Sequence, residues 1–213
     1  SLLVKKEKIE HISPYSFFID VARGSRHMVA FAACPRSDEF TSANNDTFNS
    51  NIDKDKRKDA QRDVEETGVF CVNLVSQELA WAMNASAAPL GHSLSEFNLM
   101  EGGSSSDQRT IPTTIQAPSV NAPYVSQSSM FLECRYVKTI RVPEIKDNDS
   151  MYSLIVGEVI NIHIRKDCVK KKDGEVDERT SNLIIDMEKA RPVARLGYGQ
   201  EYTVILDVIG EDD

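Results

Sequence analysis

The chain has 213 residues, of which 40% are apolar and 27% charged, the make-up of a globular domain long enough to bury a core. Its longest apolar runs are strand-sized, short of the roughly 20 residues that span a bilayer. Asp and Glu outnumber Lys and Arg by 33 to 25, giving a formal net charge of −8, a field that repels phosphate polymers and argues against a nucleic-acid partner. Residues 1–4 are apolar and strand-like from the first position, so an N-terminal strand is read as cut short. Residues 5–8 form a charged turn, and residues 9–19 are rich in β-branched and aromatic side chains. Pro14 interrupts that run and lacks a ladder donor, which marks an edge, a bulge or exposed backbone. Arg23-Gly24-Ser25 supplies a turn before a strand at 27–33.

Residues 35–55 differ in kind, with Phe40 and Phe48 isolated among Asn, Asp and Ser, and read as a low-complexity insertion outside the core. Residues 58–67 predict a helix: Ala60, Val64 and Thr67 fall near one face, Arg62 and Glu66 make an i,i+4 pair, and Gly68 stops it. A strand follows at 69–75. Ser76 caps a second helix at 77–84, with Leu79, Ala80 and Met83 inward. Residues 102–127 are polar and irregular around short extended pieces. Three strands close the chain. Residues 129–142 alternate Met130, Leu132, Cys134 and Tyr136. Residues 152–164 place Leu154 and Val156 on one face and Ile155, Gly157 and Val159 on the other. The last runs over 202–209, and Lys172-Asp173-Gly174 is a tight turn before it. Many strands with two short helices predict a mainly β fold, a barrel with helical inserts in a single domain over 1–213.

The four cysteines, Cys34, Cys71, Cys134 and Cys168, form no CxxC pair, so neither a zinc site nor a thioredoxin-type motif is read. Cys71 and Cys134 lie in apolar alternation as core thiols. Reduced cysteines without a signal peptide fit a cytoplasmic protein. There is no GxSxG, HExxH or P-loop. None of His11, His27, His92 and His163 stands at metal-ligand spacing from another, so no metal site is read. His163 reads as a surface or satisfied core residue. Two segments are less ordinary. In His11-Ile12-Ser13-Pro14-Tyr15-Ser16-Phe17-Phe18, a proline-broken strand leaves backbone groups free for the edge of a planar heterocycle, with aromatic rings to cover its apolar surface. In Arg57-Lys58-Asp59-Ala60, a helix head combines free N–H groups, the positive dipole end and a lysine, as a phosphate cradle requires.

The order of the pieces resembles the flavin-reductase-like family of FMN-binding split β-barrels. Residues 11–18 are similar to its N-L-A-P-Y-S segment. Residues 58–73, KDAQRDVEETGVFCVN, are similar to its K-D-T…T-G-E-F-V-V-N helix and strand. Met83-Asn84-Ala85-Ser86 and Ser95-Glu96-Phe97 match its M-N-x-S and S-E-F landmarks. Leu132-Glu133-Cys134 and Val156-Gly157-Glu158-Val159 match its L-E-C and G-E-V strands, and Arg195-Leu196-Gly197 with Tyr202 matches its R-L-G…Y close. The resemblance implies that Ser13, Pro14, Tyr15 and Ser16 lie along the isoalloxazine of FMN. It implies that Lys58 and the helix start, with Asp59, hold the phosphate. The resemblance also implies that Asn84, Ala85 and Ser86 lie near the flavin, from the second subunit of a homodimer, that Arg195 and Tyr202 border it, and that a nicotinamide nucleotide, NADH or NADPH, is the electron donor: it delivers hydride to the flavin, whose own chemistry carries the reaction.

Ala60 stands where that family usually has threonine, so an Ala60→Thr change is expected to tighten FMN. Ala32 and Ala33 replace serines often seen on the preceding strand, and the 35–55 insertion separates that strand from Lys58. The leading expectation is an FMN-dependent oxidoreductase using a nicotinamide nucleotide. The alternative is a non-catalytic FMN-binding or interaction protein of the same fold, and a third reading is a structural barrel without cofactor.

Overall fold

The computed structural model describes residues 1–6, 9–14, 18–19, 26–34, 57–88, 90, 94–101, 111–143, 151–171, 183–196 and 201–206. Tyr15, Ser16, the 35–55 segment and the turn at 172–174 lie outside them. The strands are β1 (Leu2–Lys6), β2 (Ile9–Ser13), β3 (Phe18–Ile19), β4 (Met28–Ala33), β5 (Val69–Asn73), β6 (Thr114–Gln116) and β7 (Pro123–Val125). The chain continues through β8 (Met130–Pro143), β9 (Met151–Ile164), β10 (Val169–Lys171), β11 (Leu183–Ile185), β12 (Val193–Leu196) and β13 (Glu201–Val204). The helices are α1 (Asp59–Thr67), α2 (Ala80–Ala85), α3 (Glu96–Glu101) and α4 (Met187–Ala190). The fold is therefore mainly β, as the patterning predicts.

Seven strands make one antiparallel sheet in the order β2-β1-β5-β8-β9-β4-β3. The charged turn expected at 5–8 starts later: Lys5 and Lys6 remain in β1, opposite Glu10 and Ile9. An opposite-charge pair across the two strands, Lys5 Nζ to Glu10 Oε1 at 3.2 Å, favours that extension. The long β8 and β9 pair along their whole length, with register shifts at Glu133/Cys134 and Tyr136/Lys138 that bend the ribbon.

Both faces of the central strands are buried. Leu2, Val4, Phe70, Val72, Leu132 and Cys134 point into a core closed by Ala60 and Val64 of α1. Leu3 turns the other way, against Leu79, Ala82 and Met100 of the segments leading into and through α2 and α3. Cys71 also faces that way, in a cluster with Ala117, Val120, Ala122 and Phe131. A strand covered on both faces has no polar side, which is why Val69-Phe70-Cys71-Val72 is an unbroken apolar run, and the strand ends on buried Asn73. Gly157 is where β9 passes the ring of Phe70: a Cβ built there would lie 2.5 Å from Phe70 Cζ.

Helix α1 begins one residue after Lys58 and ends on Gly68, whose φ of 74° lets its N–H reach Val64 O at 2.9 Å. Arg62 reaches Asp59 at 3.0 Å and Asp63 at 2.7 Å, while Arg57 meets Glu66 at 3.7 Å. A guanidinium beside buried carboxylates is worth more than one screened by water, so Arg62 turns inward. Ser76 makes no side-chain cap; its segment opens with a single 3-10 turn, Gln77–Leu79, before α2. The inward residues there are Leu79 and Ala82, with Ala80 and Met83 half-buried.

Candidate functional site

The head of α1 has the features a phosphate needs. Lys58 is extended (φ −65°, ψ 151°) and exposed, and its side chain holds no acceptor that might cap the first-turn N–H groups. The helix dipole adds partial positive charge at the same point. Asp59 turns away from that opening: it is buried and paired with Arg62. Ala60 is also turned away, 1% exposed and packed in the core with Val64. A hydroxyl at position 60 would enter apolar packing, which corrects the expectation that Ala60→Thr supplies a phosphate ligand.

Strand β2 carries Ser13 and Pro14 at its end, both half-buried. It is an outer strand of the sheet, where a following proline forfeits no ladder bond. The start of α3 covers its free edge. Ser95 Oγ donates to Glu10 O at 2.6 Å, and Glu96 Oε2 accepts from Ile12 N–H at 3.2 Å. Side chains thus satisfy backbone groups that the sheet leaves open, and this accounts structurally for the Ser95-Glu96-Phe97 landmark.

Beneath this edge lies a buried polar cluster that residue spacing does not reveal. His11 Nδ1 stands 3.4 Å from Glu96 Oε2, and its Nε2 stands 3.8 Å from Asp63 Oδ2. Asp59 lies in the same group. Burial pushes the His11 pKa down, but the Glu96, Asp59 and Asp63 carboxylates outweigh it and the net direction is up. Burial is the largest influence on Asp63 and raises its carboxyl; Arg62 and His11 oppose that incompletely. The contributing residues come from β2, α1 and α3, so no local motif could have announced them.

The second half of the expected site lies around α2. Asn84 is exposed at the end of α2, Ala85 packs against the neighbouring core, and buried Ser86 donates from Oγ to Met83 O at 2.7 Å. Arg195 and Tyr202 face each other across the β12–β13 ribbon. That ribbon is tied to the approach to α2 by Val193 N–H to Val75 O at 2.9 Å and by the Ser76–Pro192 bridge. A small apolar depression beside α2 is lined by Ile12 of β2 with Leu79, Ala82 and Met83, and by none of the expected site residues.

Residues 31–179 match the family described as flavin reductase like domain. The chain belongs to that family. An Aquifex aeolicus protein is 25% identical over 194 residues, 91% of this chain and 76% of its own length. The chain spans 55% and 58% of two further relatives. Among solved structures, nitrilotriacetate monooxygenase component B from Bacillus cereus is 22% identical with a TM-score of 0.69, over 98% of this chain and 84% of that one. A Shewanella frigidimarina protein with a split barrel domain gives 14% and 0.65, over 100% and 83%. An FMN-binding protein from Thermus thermophilus gives 8% and 0.58, over 98% and 86%. The flavin reductase like domain is thus a split β-barrel here too, as the resemblance implied. No helix among its described residues is long and apolar enough to cross a membrane.

A further polar group passed unnoticed in the sequence of this family member. Glu133, fully buried, accepts from Ser119 N–H at 2.9 Å and Asn161 Nδ2 at 2.7 Å and stands 3.4 Å from His163 Nε2. Burial raises its carboxyl, but the hydrogen bonds from Asn161 and Ser119, with His163 close by, prevail and hold it below the usual carboxylate value. His163 stacks on Phe131 at 4.4 Å, and Phe131 stacks on Tyr124 at 3.8 Å. The Leu132-Glu133-Cys134 landmark held this signal, but nothing in sequence joins it to residue 119, 161 or 163.

Proposed function

We propose that this protein is an FMN-binding oxidoreductase that accepts hydride from NADH or NADPH and works in the cytoplasm as a homodimer. The observation that carries the reading is the exposed Lys58 at the uncapped head of α1, in a chain of the flavin reductase like family. The residues present fit the group: a lysine at a helix head suits a phosphate dianion, and the outer strand that ends at Ser13, before Pro14, suits the edge of a planar ring. Lys58 and the first-turn N–H groups hold the phosphate. Ser13 and Pro14, with Tyr15 and Ser16, orient the ring. Asn84, Ala85 and Ser86 approach from the second subunit, and Arg195 and Tyr202 border the opening. When bound, the flavin supplies hydride-transfer chemistry, while the chain supplies position and exclusion of water.

The non-catalytic alternative rests on the altered phosphate motif and on the long insertions; the burial of Ala60 speaks against the first and leaves the second. The test is the absorbance of the purified full-length protein before and after nicotinamide addition. Yellow colour, FMN release on denaturation and bleaching by NADH or NADPH in stopped flow are expected. A yellow protein that neither nucleotide bleaches is a flavin-binding protein without reductase activity, and a colourless one that takes up no FMN is a structural barrel.

A further inference from the structure

We propose that His11, Asp59 and Glu96 form a site for one divalent first-row metal ion, which joins β2, α1 and α3. A ring nitrogen of His11 and one carboxylate oxygen each from Asp59 and Glu96 lie within 4.8 Å of one another, and all three residues are buried. Ligands each about 2.1 Å from a tetrahedral ion stand about 3.4 Å apart. His11 Nδ1 and Glu96 Oε2 are 3.4 Å apart.

Two independent features point to a missing ligand. The first is that His11, 1% exposed, has no hydrogen-bond partner for Nδ1 among the described residues, and neither has Oδ2 of fully buried Asp63. Native interiors rarely leave such atoms unsatisfied without an ion, a water or a special role. The second is charge. Among the described residues, Asp59, Asp63 and Glu96 gather three carboxylates around the Arg62 guanidinium and the His11 ring, and a divalent cation can take the place of a proton on His11. The surroundings also match an outer shell. With a metal on Nδ1, His11 turns Nε2–H toward Asp63 Oδ2, now 3.8 Å away, and Arg62 holds the other oxygen of Asp63 at 2.7 Å. A carboxylate behind a ligating histidine fixes its tautomer and raises its basicity. Ile12 N–H orients Glu96 in the same way. One nitrogen and two oxygens form a borderline donor set that suits Zn(II), Mn(II), Fe(II) or Co(II) rather than calcium.

The experiment uses the full chain, stripped with a chelator and dialysed, without flavin, so that it stands apart from the flavin reading. Zn(II) titration by calorimetry is expected to show one ion per chain, and Co(II) to give the intense visible bands of a low-coordinate site with nitrogen ligation. Glu96→Gln and His11→Gln are expected to weaken Zn(II) about 10–100-fold, with circular dichroism confirming that each variant is folded. The Co(II) spectrum of the unmodified protein decides the matter if either variant does not fold. Absence of Zn(II) uptake with a Co(II) spectrum equal to that of the free aqua ion overturns the proposal, and an imidazolium His11 detected by NMR would then show that protons balance the cluster. Binding that survives both folded variants unchanged overturns it equally.

Discussion

Replacing Gly157 by alanine tests how tightly β9 is fitted over the core. The new Cβ would lie 2.5 Å from Phe70 Cζ, 2.8 Å from Phe70 Cε1 and 3.2 Å from the backbone oxygen of Arg135. Carbon atoms in good contact sit about 3.5–4.0 Å apart, so the ring must retreat by roughly 1 Å. It has nowhere easy to go: Phe70 is fully buried and meets Phe31 edge-on, with centroids 6.0 Å apart. Arg135 O belongs to β8, held by β5 and β9 on either side. Overpacking of this kind costs about 1–3 kcal/mol. Loss of glycine freedom in the unfolded chain returns about 0.4–1 kcal/mol. The net destabilisation is about 1–2 kcal/mol, a fall in Tm of about 2–8 °C for a chain of this size. Scanning calorimetry of Gly157→Ala measures it, and the same change in a Phe70→Leu background isolates the cause. Leucine lacks the two ring atoms in conflict, so the alanine penalty should largely vanish there. A Gly157→Ala protein as stable as its parent, or one with an undiminished penalty beside Leu, would refute the close-approach argument.

Four further outcomes are expected. Lys58→Ala should weaken FMN about tenfold, the low end for a charge-assisted bond at an exposed position, with the fold unchanged by circular dichroism; equal affinity in fluorescence titration would remove Lys58 from the phosphate site. Ala60→Thr should lower stability by about 1–3 kcal/mol without tightening FMN, since it adds volume and a hydroxyl to the core; a gain in affinity would show that position 60 faces the ligand. Native alkylation should mark Cys34 first, because Cys34 is exposed while burial pushes the Cys71 thiol up to about 12 and raises Cys134 further still; rapid labelling of Cys71 seen by mass spectrometry would contradict this. Glu133 has a folded pKa below its ordinary 4.5, so its contribution is complete above that value and is lost as pH falls through the folded value. Glu133→Gln should therefore lower Tm at pH 7 and converge on the parent in acid; a constant gap down to pH 3 would rule out the linkage.

Several parts of this fold are legible from residue order alone. The 27–33 strand, the helix from Asp59 ending on Gly68, and the long pair β8 and β9 each carry a local signal, whether alternation, a 3.6-residue period or a stop glycine. Pro14 was read as marking an edge, a bulge or exposed backbone, and β2 lies on the outside of the sheet. Spacing says less where a side chain has more than one possible surrounding. Arg62 has Glu66 at the right spacing, and it also reaches Asp59 and Asp63 in the interior, where an uncompensated charge is far more costly than at the surface. The residue order alone marks Ala60 as a missing phosphate ligand, and only its packing in the core beside Val64 sets it apart from that opening.

Lys58 at the head of α1 and Ser13-Pro14 at the end of β2 are local features, set by backbone chemistry within a few residues, and the sequence by itself determined them along with the flavin reductase like order of landmarks. The meeting of His11, Asp59, Asp63 and Glu96, and of Glu133 with Asn161 and His163, was decided only by tertiary structure. Those partners lie on separate elements, and what selects them is the need to satisfy charge and hydrogen bonding once packing has removed water, a condition that no spacing along the chain encodes.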